Sequence, residues 1–177
     1  EQTEVMVQEN PMPILLWNPD ATLRMANKAF LKLSGYTQDQ ASRLTVHDMK
    51  YLSQSGQGII DTIHSRQANH GEVTVEFPSG IRILERYNIP LLNREGNLDS
   101  VLTVYNDITE QRKKEEQIKE LMETAKQESE RLGRSASELG KALAALAKGD
   151  MTVFVTTEAD DPLGNVKNDY NASLTSI

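Results

Sequence analysis

Between Leu98 and Lys148 an apolar strand passes without a turn signal into a long helical repeat. Leu98 to Asn106 is rich in β-branched and aromatic residues, the composition of a pleated strand. Asp107-Ile108-Thr109-Glu110 follows, with Thr109 a candidate N-cap, and the run after it holds neither glycine nor proline until Gly133. Ile118, Ala125, Leu132, Leu139 and Leu146 then recur every seven residues, with Leu121 and Ala142 at companion positions. This is coiled-coil spacing with a weak seam, because Glu128 and Ser135 stand where apolar residues pack best. A globular domain joined so closely to a marginal coiled coil suits the transmission of a conformational state better than catalysis.

Composition narrows the rest. The 177 residues suffice for one domain with a helical extension, and a net charge of -7 argues against nucleic acid or an anionic membrane as partner. There is no cysteine, so there is no disulfide, thiolate metal site or cysteine nucleophile, which fits a reducing, cytoplasmic setting. No apolar run approaches the roughly 18 residues that span a bilayer. The heptad pattern continues to Ile177, which predicts a piece of a longer protein with an output domain elsewhere.

Ahead of the strand–helix junction, a short helix is predicted from Thr3 to Glu9, then strands at Ile14–Trp17 and Leu23–Met25 around the Asn18-Pro19-Asp20 turn. Short helices follow from Asn27 to Gly35, from Thr37, and over Ile59–His64, with Leu44 to Asn69 read as helical pieces. Three further strands, Glu72–Phe77, Ile81–Leu92 and Leu98–Asn106, complete a five-stranded antiparallel sheet with one layer of short helices, an α+β fold. The last two strands are apolar on both faces, so the outer face needs a cover from the N-terminal helix or a partner subunit.

Three motifs in this order carry a resemblance over roughly residues 3–109. Asn18-Pro19-Asp20 precedes Met25-Ala-Asn-Lys-Ala-Phe30 and Ser34-Gly-Tyr-Thr37; Ile89-Pro-Leu-Leu92 precedes Gly96; Asp107-Ile-Thr-Glu110 closes the set. Together they resemble a PAS domain and the start of its signalling helix. The segment Phe77-Pro-Ser-Gly80 leading to Glu85-Arg86-Tyr87 is similar to PAS modules of chemoreceptor-type proteins. Residues 131–177 resemble a HAMP domain: an apolar helix ending at Gly149-Asp150, an extended connector, and a second helix opened by Asp161-Pro-Leu-Gly164 and carrying Tyr170-Asn171. Leu163, Tyr170 and Ile177 keep the seven-residue spacing there. Pro162 departs from the family's acidic residue, and no proline precedes the first helix. The resemblance divides the chain into a PAS sensor at 1–109, a coiled-coil connector at 110–130 and a HAMP-like relay at 131–177. It implies a parallel four-helix bundle in a homodimer.

PAS domains often hold a ligand between helices and sheet, so residue types there can be tested. Thiol-adduct flavin and c-type haem are excluded by the absence of cysteine. Non-covalent haem needs an axial ligand, for which His64 beside Ile60 and Ile63 is the candidate; the alternative is a surface histidine. The dispersed His47, His64 and His70 lack metal-ligand spacing. Arg86 can grip a carboxylate or phosphate if it faces the pocket, or else pair with Glu85. Trp17, Phe30, Tyr87 and Tyr105 line a pocket or fill the core. Asp107 and Thr109 occupy the covalent path from sheet to helix, and Gly149, Asp150, Asp161, Gly164 and Asn171 the corresponding bends of the second unit. No constellation of catalytic residues is found. The chain reads as a sensor and relay module of a chemoreceptor, a histidine kinase or a nucleotide cyclase. The alternative is a structural dimerisation module with an empty PAS domain.

Overall fold

A computed structural model describes residues 2–176, except the side chain of Thr3. Ile177 and its place in the seven-residue spacing lie outside the described residues. The chain divides into two compact units, Glu1–Lys114 and Glu115–Ile177.

In the first unit, α1 (Gln2–Gln8) precedes the hairpin β1 (Ile14–Trp17) and β2 (Leu23–Ala26). Then come α2 (Lys28–Ser34), α3 (Gln38–Ala41), a 3-10 turn at Val46–Asp48, β3 (Tyr51–Gln54) and α4 (Ile59–Ser65). The long strands β4 (Asn69–Phe77), β5 (Gly80–Leu92) and β6 (Leu98–Asp107) complete an antiparallel sheet of order β2-β1-β6-β5-β4-β3. The sheet has six strands, not the five expected. The extra one, β3, lies inside the stretch read as helical and pairs with β4 through Tyr51 opposite Val75. Tyr51-Leu-Ser-Gln54 is too short to carry a period of its own, and its Lys50 and Gln54 flanks hide the signal.

Period-two alternation sorts the sheet. Val73, Val75, Phe77, Leu84, Val101 and Tyr105 face inward and are buried with Trp17, Phe30 and Ile59. On the outer face Ile81, Tyr87, Ile89 and Leu91 are exposed. Aromatic rings fill the centre: Phe30 stacks on Tyr105 at 6.2 Å and meets Phe77 edge-on at 5.8 Å.

Asn27 organises the edge of this core. Its Oδ1 accepts from the Ile14 N–H (2.9 Å) and the Phe30 N–H (3.0 Å), joining β1 to the start of α2. Its Nδ2 donates to the carbonyls of Val7, Asn10 and Met12, which holds the end of α1 and the Pro11–Pro13 segment in place.

In the second unit, the last turns of α5 (Thr109–Ala147) and all of α6 (Gly164–Thr175) pack through Leu139, Ala142, Tyr170 and Leu174. The pairs Ser135–Asp161, Glu138–Lys167 and Ala142–Tyr170 advance in the same direction along both segments, so these helices run parallel. Gly149 closes α5: its φ of +89° allows the Gly149 N–H to reach Leu146 O and the Asp150 N–H to reach Ala145 O. Among the described residues no helix is long and apolar enough to cross a membrane.

Because Asn27 satisfies two buried donors and three carbonyls with one amide, Asn27→Ala should cost about 3 kcal/mol in urea unfolding of the chain. The isosteric substitution Asn27→Asp should keep the two acceptor bonds but set a buried carboxylate oxygen against three carbonyl oxygens, and so cost at least as much as the alanine.

Candidate functional site

The inner face of the sheet carries two polar groups with opposite character. One is fully partnered. Trp17 Nε1 donates to Thr103 Oγ1 (3.1 Å), whose hydroxyl donates to Asn88 Oδ1 (2.8 Å). Asn88 Nδ2 donates to Asn69 Oδ1 (2.9 Å), and Asn69 Nδ2 reaches Thr62 Oγ1 (2.8 Å) and Gly58 O (3.0 Å). This chain of bonds crosses β1, β6, β5 and β4 and ends on α4, and buried networks of this kind are stable only when closed. Sequence reading found Trp17 but none of its partners, since a single asparagine or threonine in a strand carries no sign of what lies across from it.

The second group lies beside it. Arg86 of β5 stands directly opposite Tyr105 of β6, and its guanidinium sits over the Tyr51 ring, 5.2 Å from the centroid. Arg86 is 1% exposed and Tyr105 0%. One guanidinium bond is made, Arg86 Nη2 to Gln57 O at 3.3 Å. Arg86 Nε makes no hydrogen bond, and the Tyr51 and Tyr105 hydroxyls have no partner beyond each other. Burial pushes the Tyr105 phenol well above its ordinary pKa; the neighbouring Tyr51 adds to this through its charge and a hydrogen bond, and the Arg86 charge opposes it. Tyr105 therefore stays protonated, a hydrogen-bond donor, at every physiological pH.

Of the ligand candidates from sequence, Trp17, Phe30, Arg86 and Tyr105 are brought to one inner face, and Ile60 packs half-buried against the same core. Two are placed elsewhere. His64 is exposed at the last turn of α4, which removes it as an axial haem ligand. Tyr87 is on the outer face, stacked on His70 at 5.6 Å, because odd-numbered residues of β5 point away from the core. Glu85, the alternative partner for Arg86, also faces outward and accepts from Asn106 (3.1 Å).

Where sheet becomes helix, the geometry differs from simple capping. Asp107, not Thr109, is the capping acceptor: Asp107 Oδ1 receives the Thr109 N–H (3.0 Å) and the Thr109 hydroxyl (2.5 Å). Thr109 is the first residue of α5 and bonds sideways, Oγ1 accepting from the Ile83 N–H (2.9 Å). The Ile108 N–H donates to Ile83 O (2.9 Å) and Arg82 lies 3.7 Å from the other Asp107 oxygen. The corner is thus tied to the neighbouring strand β5.

In the second unit the sequence candidates come together around residues that sequence reading missed. Lys167, 1% exposed, donates to Asp161 (2.8 Å), Glu138 (3.0 Å) and Thr156 O (3.4 Å). Ser135, read as a flaw in the seam, donates to the other Asp161 oxygen at 2.6 Å. The Lys167 ammonium, with the Ser135 hydroxyl and the Leu163 N–H, holds the Asp161 carboxyl well below its ordinary range. Lys167 is in turn raised by Asp161. A small cleft of about 100 Å³ lined by Arg131, Arg134 and Glu158 opens beside it. Asn171 pairs its amide with the backbone of Val155, donating to O (2.8 Å) and accepting from N–H (3.0 Å). Tyr170 donates to Val153 O (2.8 Å), and Asp150 accepts from the Thr152 N–H and hydroxyl, which lowers its pKa. Gly164, the first residue of α6, donates its N–H to Asp161 O. Every one of these bonds pins the connector between the two helices.

Comparison with known proteins bears on the first unit. A family model described as the PAS fold matches residues 7–113, well over half of the chain. The chain belongs to the PAS-fold family. No curated protein matches it at the level of sequence. Among solved structures the PAS fold recurs in the PAS domain of the fruit-fly ELK potassium channel, with a TM-score of 0.53 and 17% identity over 61% of this chain and 95% of that one. It recurs in an RNA-binding Light-Oxygen-Voltage receptor, with a TM-score of 0.58 and 18% identity over 72% of this chain, which spans only 38% of that receptor. The PAS domain of nitrogen regulation protein NR(II) from Vibrio parahaemolyticus gives a TM-score of 0.50 and 15% identity over 61% of this chain and 99% of that one. At such identities the shared property is the fold.

Asp161 makes the second unit sensitive to acid. Its native pKa lies below the ordinary value of about 4, so its contribution is complete above pH 4 and is lost as pH falls through the lowered native value. Protection factors of the α6 amides against hydrogen exchange should therefore fall below about pH 4 in the wild type. Asp161→Asn should be less protected at pH 7 and lose most of that pH dependence.

Proposed function

We propose that the chain is a sensory relay module of a signal transducer, in which the PAS domain responds to a small ligand or a partner's state and α5 carries the response to a HAMP-like unit. The corner at Asp107 and Thr109 carries this reading. The edge of β5 is hydrogen-bonded to the first residue of a 39-residue helix, so a shift of the strand moves the helix start with it. A flexible linker would absorb such a shift, and none intervenes between β6 and α5.

The HAMP-like assignment rests on the parallel pairing of α5 with α6 and on the connector anchored by Tyr170, Asn171 and Asp161. It implies a parallel homodimer. Exposed apolar residues on α5 (Ile118, Leu121, Met122, Leu132 and Leu143) supply a seam for a second copy, interrupted by the polar Glu128. An interrupted seam leaves two packings within a few kcal/mol of each other, which a switch needs. Gly133 and Gly140 add to this, each costing the helix about 1 kcal/mol relative to alanine. The proposed setting is the cytoplasm, the proposed parent a chemoreceptor, with a histidine kinase or nucleotide cyclase as alternatives, and the module itself is not an enzyme. A spacer role with an empty PAS domain is the competing reading, favoured by the close aromatic packing around Phe30. The unpartnered polar group at Arg86 weighs against it.

The absence of cysteine makes the dimer directly testable. Single cysteines at Ile118, Leu121 or Ala125 should form disulfide-linked dimers readily, whereas cysteines at Lys119 or Thr124 should not. A chain that is monomeric by light scattering and shows no such periodicity would defeat the relay proposal.

A further inference from the structure

Buried polar groups in this PAS domain are closed into bonds almost everywhere. Asn27 makes five, and the Trp17–Thr103–Asn88–Asn69 series is complete. Against that background Arg86 Nε and the hydroxyls of Tyr51 and Tyr105 converge in one place, the two phenols with no partner beyond each other; the other unpartnered atom, Arg82 Nε, belongs to the side chain that pairs with Asp107. Among the described residues no carboxylate lies within 4.0 Å of the Arg86 guanidinium; nearby Asp61 is bonded to the Gly58 N–H (2.7 Å) instead. A buried cation without a counter-charge is strongly unfavourable, several kcal/mol even after relaxation, and the Tyr51 ring offsets only part of it. Of the two buried phenols only one can donate to the other, so one hydroxyl proton is left without an acceptor and adds to the cost.

We propose that Arg86, Tyr51 and Tyr105 form the binding site for a small monocarboxylate, reached through the Ser55–Gly58 loop. This deepens the sensory reading and rests on it. The guanidinium offers paired N–H donors in the geometry a carboxylate accepts, and each phenol adds a neutral donor to an oxygen lone pair. Charge decides against a phosphate. One guanidinium balances one negative charge, while a dianion would bury a second with only two neutral phenols to meet it.

The approach is built from glycine. Gly71 stands opposite Arg86 on β4, and a Cβ there would lie 2.1 Å from Ser55 O, so only glycine lets the loop lie flat against the sheet at this point. A Cβ on Gly58 would stand 3.5 Å from Arg86 Nη2 and 3.0 Å from Gln54 Nε2, in the space beside the guanidinium. Ser55, Gly56 and Gln57 are themselves exposed. The Gln57 carbonyl, at 3.3 Å from Nη2, occupies one donor weakly and is what a carboxylate oxygen displaces. Its release frees the Gly56–Gln57 tip of the loop, between anchors at Ser55 on Glu72 and at Gly58 on Asn69, and links occupancy to the position of β5.

Isothermal titration of the full chain with acetate, pyruvate, lactate and benzoate at pH 8 tests this, with succinate and inorganic phosphate, both dianions there, for comparison. At least one monocarboxylate should bind saturably, one per chain, and both dianions more weakly. Tyr105→Phe and Tyr51→Phe should each weaken that probe about tenfold, the effect of one lost hydrogen bond to a charged acceptor. Because each removes a hydroxyl whose sole partner is the other phenol, either should lower the melting temperature of the free protein by no more than a few degrees. Arg86→Lys should abolish binding. The proposal is overturned if no monocarboxylate binds, if phosphate binds as tightly, or if Tyr105→Phe leaves the affinity unchanged. Those outcomes leave the relay itself standing, since the cysteine cross-linking of α5 does not depend on what the PAS domain binds.

Discussion

The hydrogen bond from the Ile83 N–H to Thr109 Oγ1, 2.9 Å long, ties the first residue of α5 sideways to β5, a strand that the chain reaches from it only by way of β6. A strand that runs directly into a helix must turn its backbone from one ladder to another within a residue or two, and the N–H groups released in the turn need partners. Here Asp107 takes the Thr109 N–H, Ile83 O takes the Ile108 N–H, and Thr109 returns an acceptor to Ile83. The Thr109 hydroxyl proton goes to the Asp107 carboxylate at 2.5 Å, the stronger, charge-assisted acceptor, rather than to Ile83 O at 3.4 Å. With Ile108 only 3% exposed, the corner is clamped by packing as well as by bonds.

Strand β5 gives this corner its significance. Ile83 sits at one point of it and Arg86 three residues further on, facing the opposite side of the sheet. The same strand therefore carries the least satisfied buried group of the PAS domain and the bond that sets the start of α5. Coupling needs an element with two arrangements that both ends can bias. The strand supplies the mechanical link, and the Gly56–Gln57 tip of the Ser55–Gly58 loop, held to Arg86 by one 3.3 Å bond, supplies an element weakly enough attached to change.

Much of this was legible from residue patterns, and the exceptions have physical causes. The alternation in β4, β5 and β6 identified the sheet and its two faces, and Asp107-Ile-Thr-Glu110 marked the corner. Arg86 was recognised as a possible anion ligand, since an arginine in an otherwise apolar strand stands out. Tyr51 was missed because β3 has only four residues and one aromatic, too little to raise a strand signal. For His64 the sequence leaves a pocket ligand and a surface residue both open, and for Tyr87 a pocket wall or the core; their direction depends on helix phase and strand parity, which residue type does not reveal. Lys167 shows the limit most clearly. A lysine on an amphipathic helix is normally solvated, and only the fold brings Asp161, Glu138 and Thr156 O around it. Ser135, a defect when read as a coiled-coil seam, is the residue that completes that cluster.

The claim that β5 and α5 share one structural unit at Thr109 can be tested on the chain itself by residue-resolved hydrogen exchange. The informative amides are Ile83, which donates to Thr109, and Arg112, which makes the first backbone bond of α5 to Ile108. Thr109→Val removes the hydroxyl and preserves shape. The account predicts that Ile83 and Arg112 lose protection together, by a factor of about ten, as expected for one buried hydrogen bond. Loss at Ile83 with Arg112 unchanged would mean that the helix start is held independently of the strand, and would contradict it.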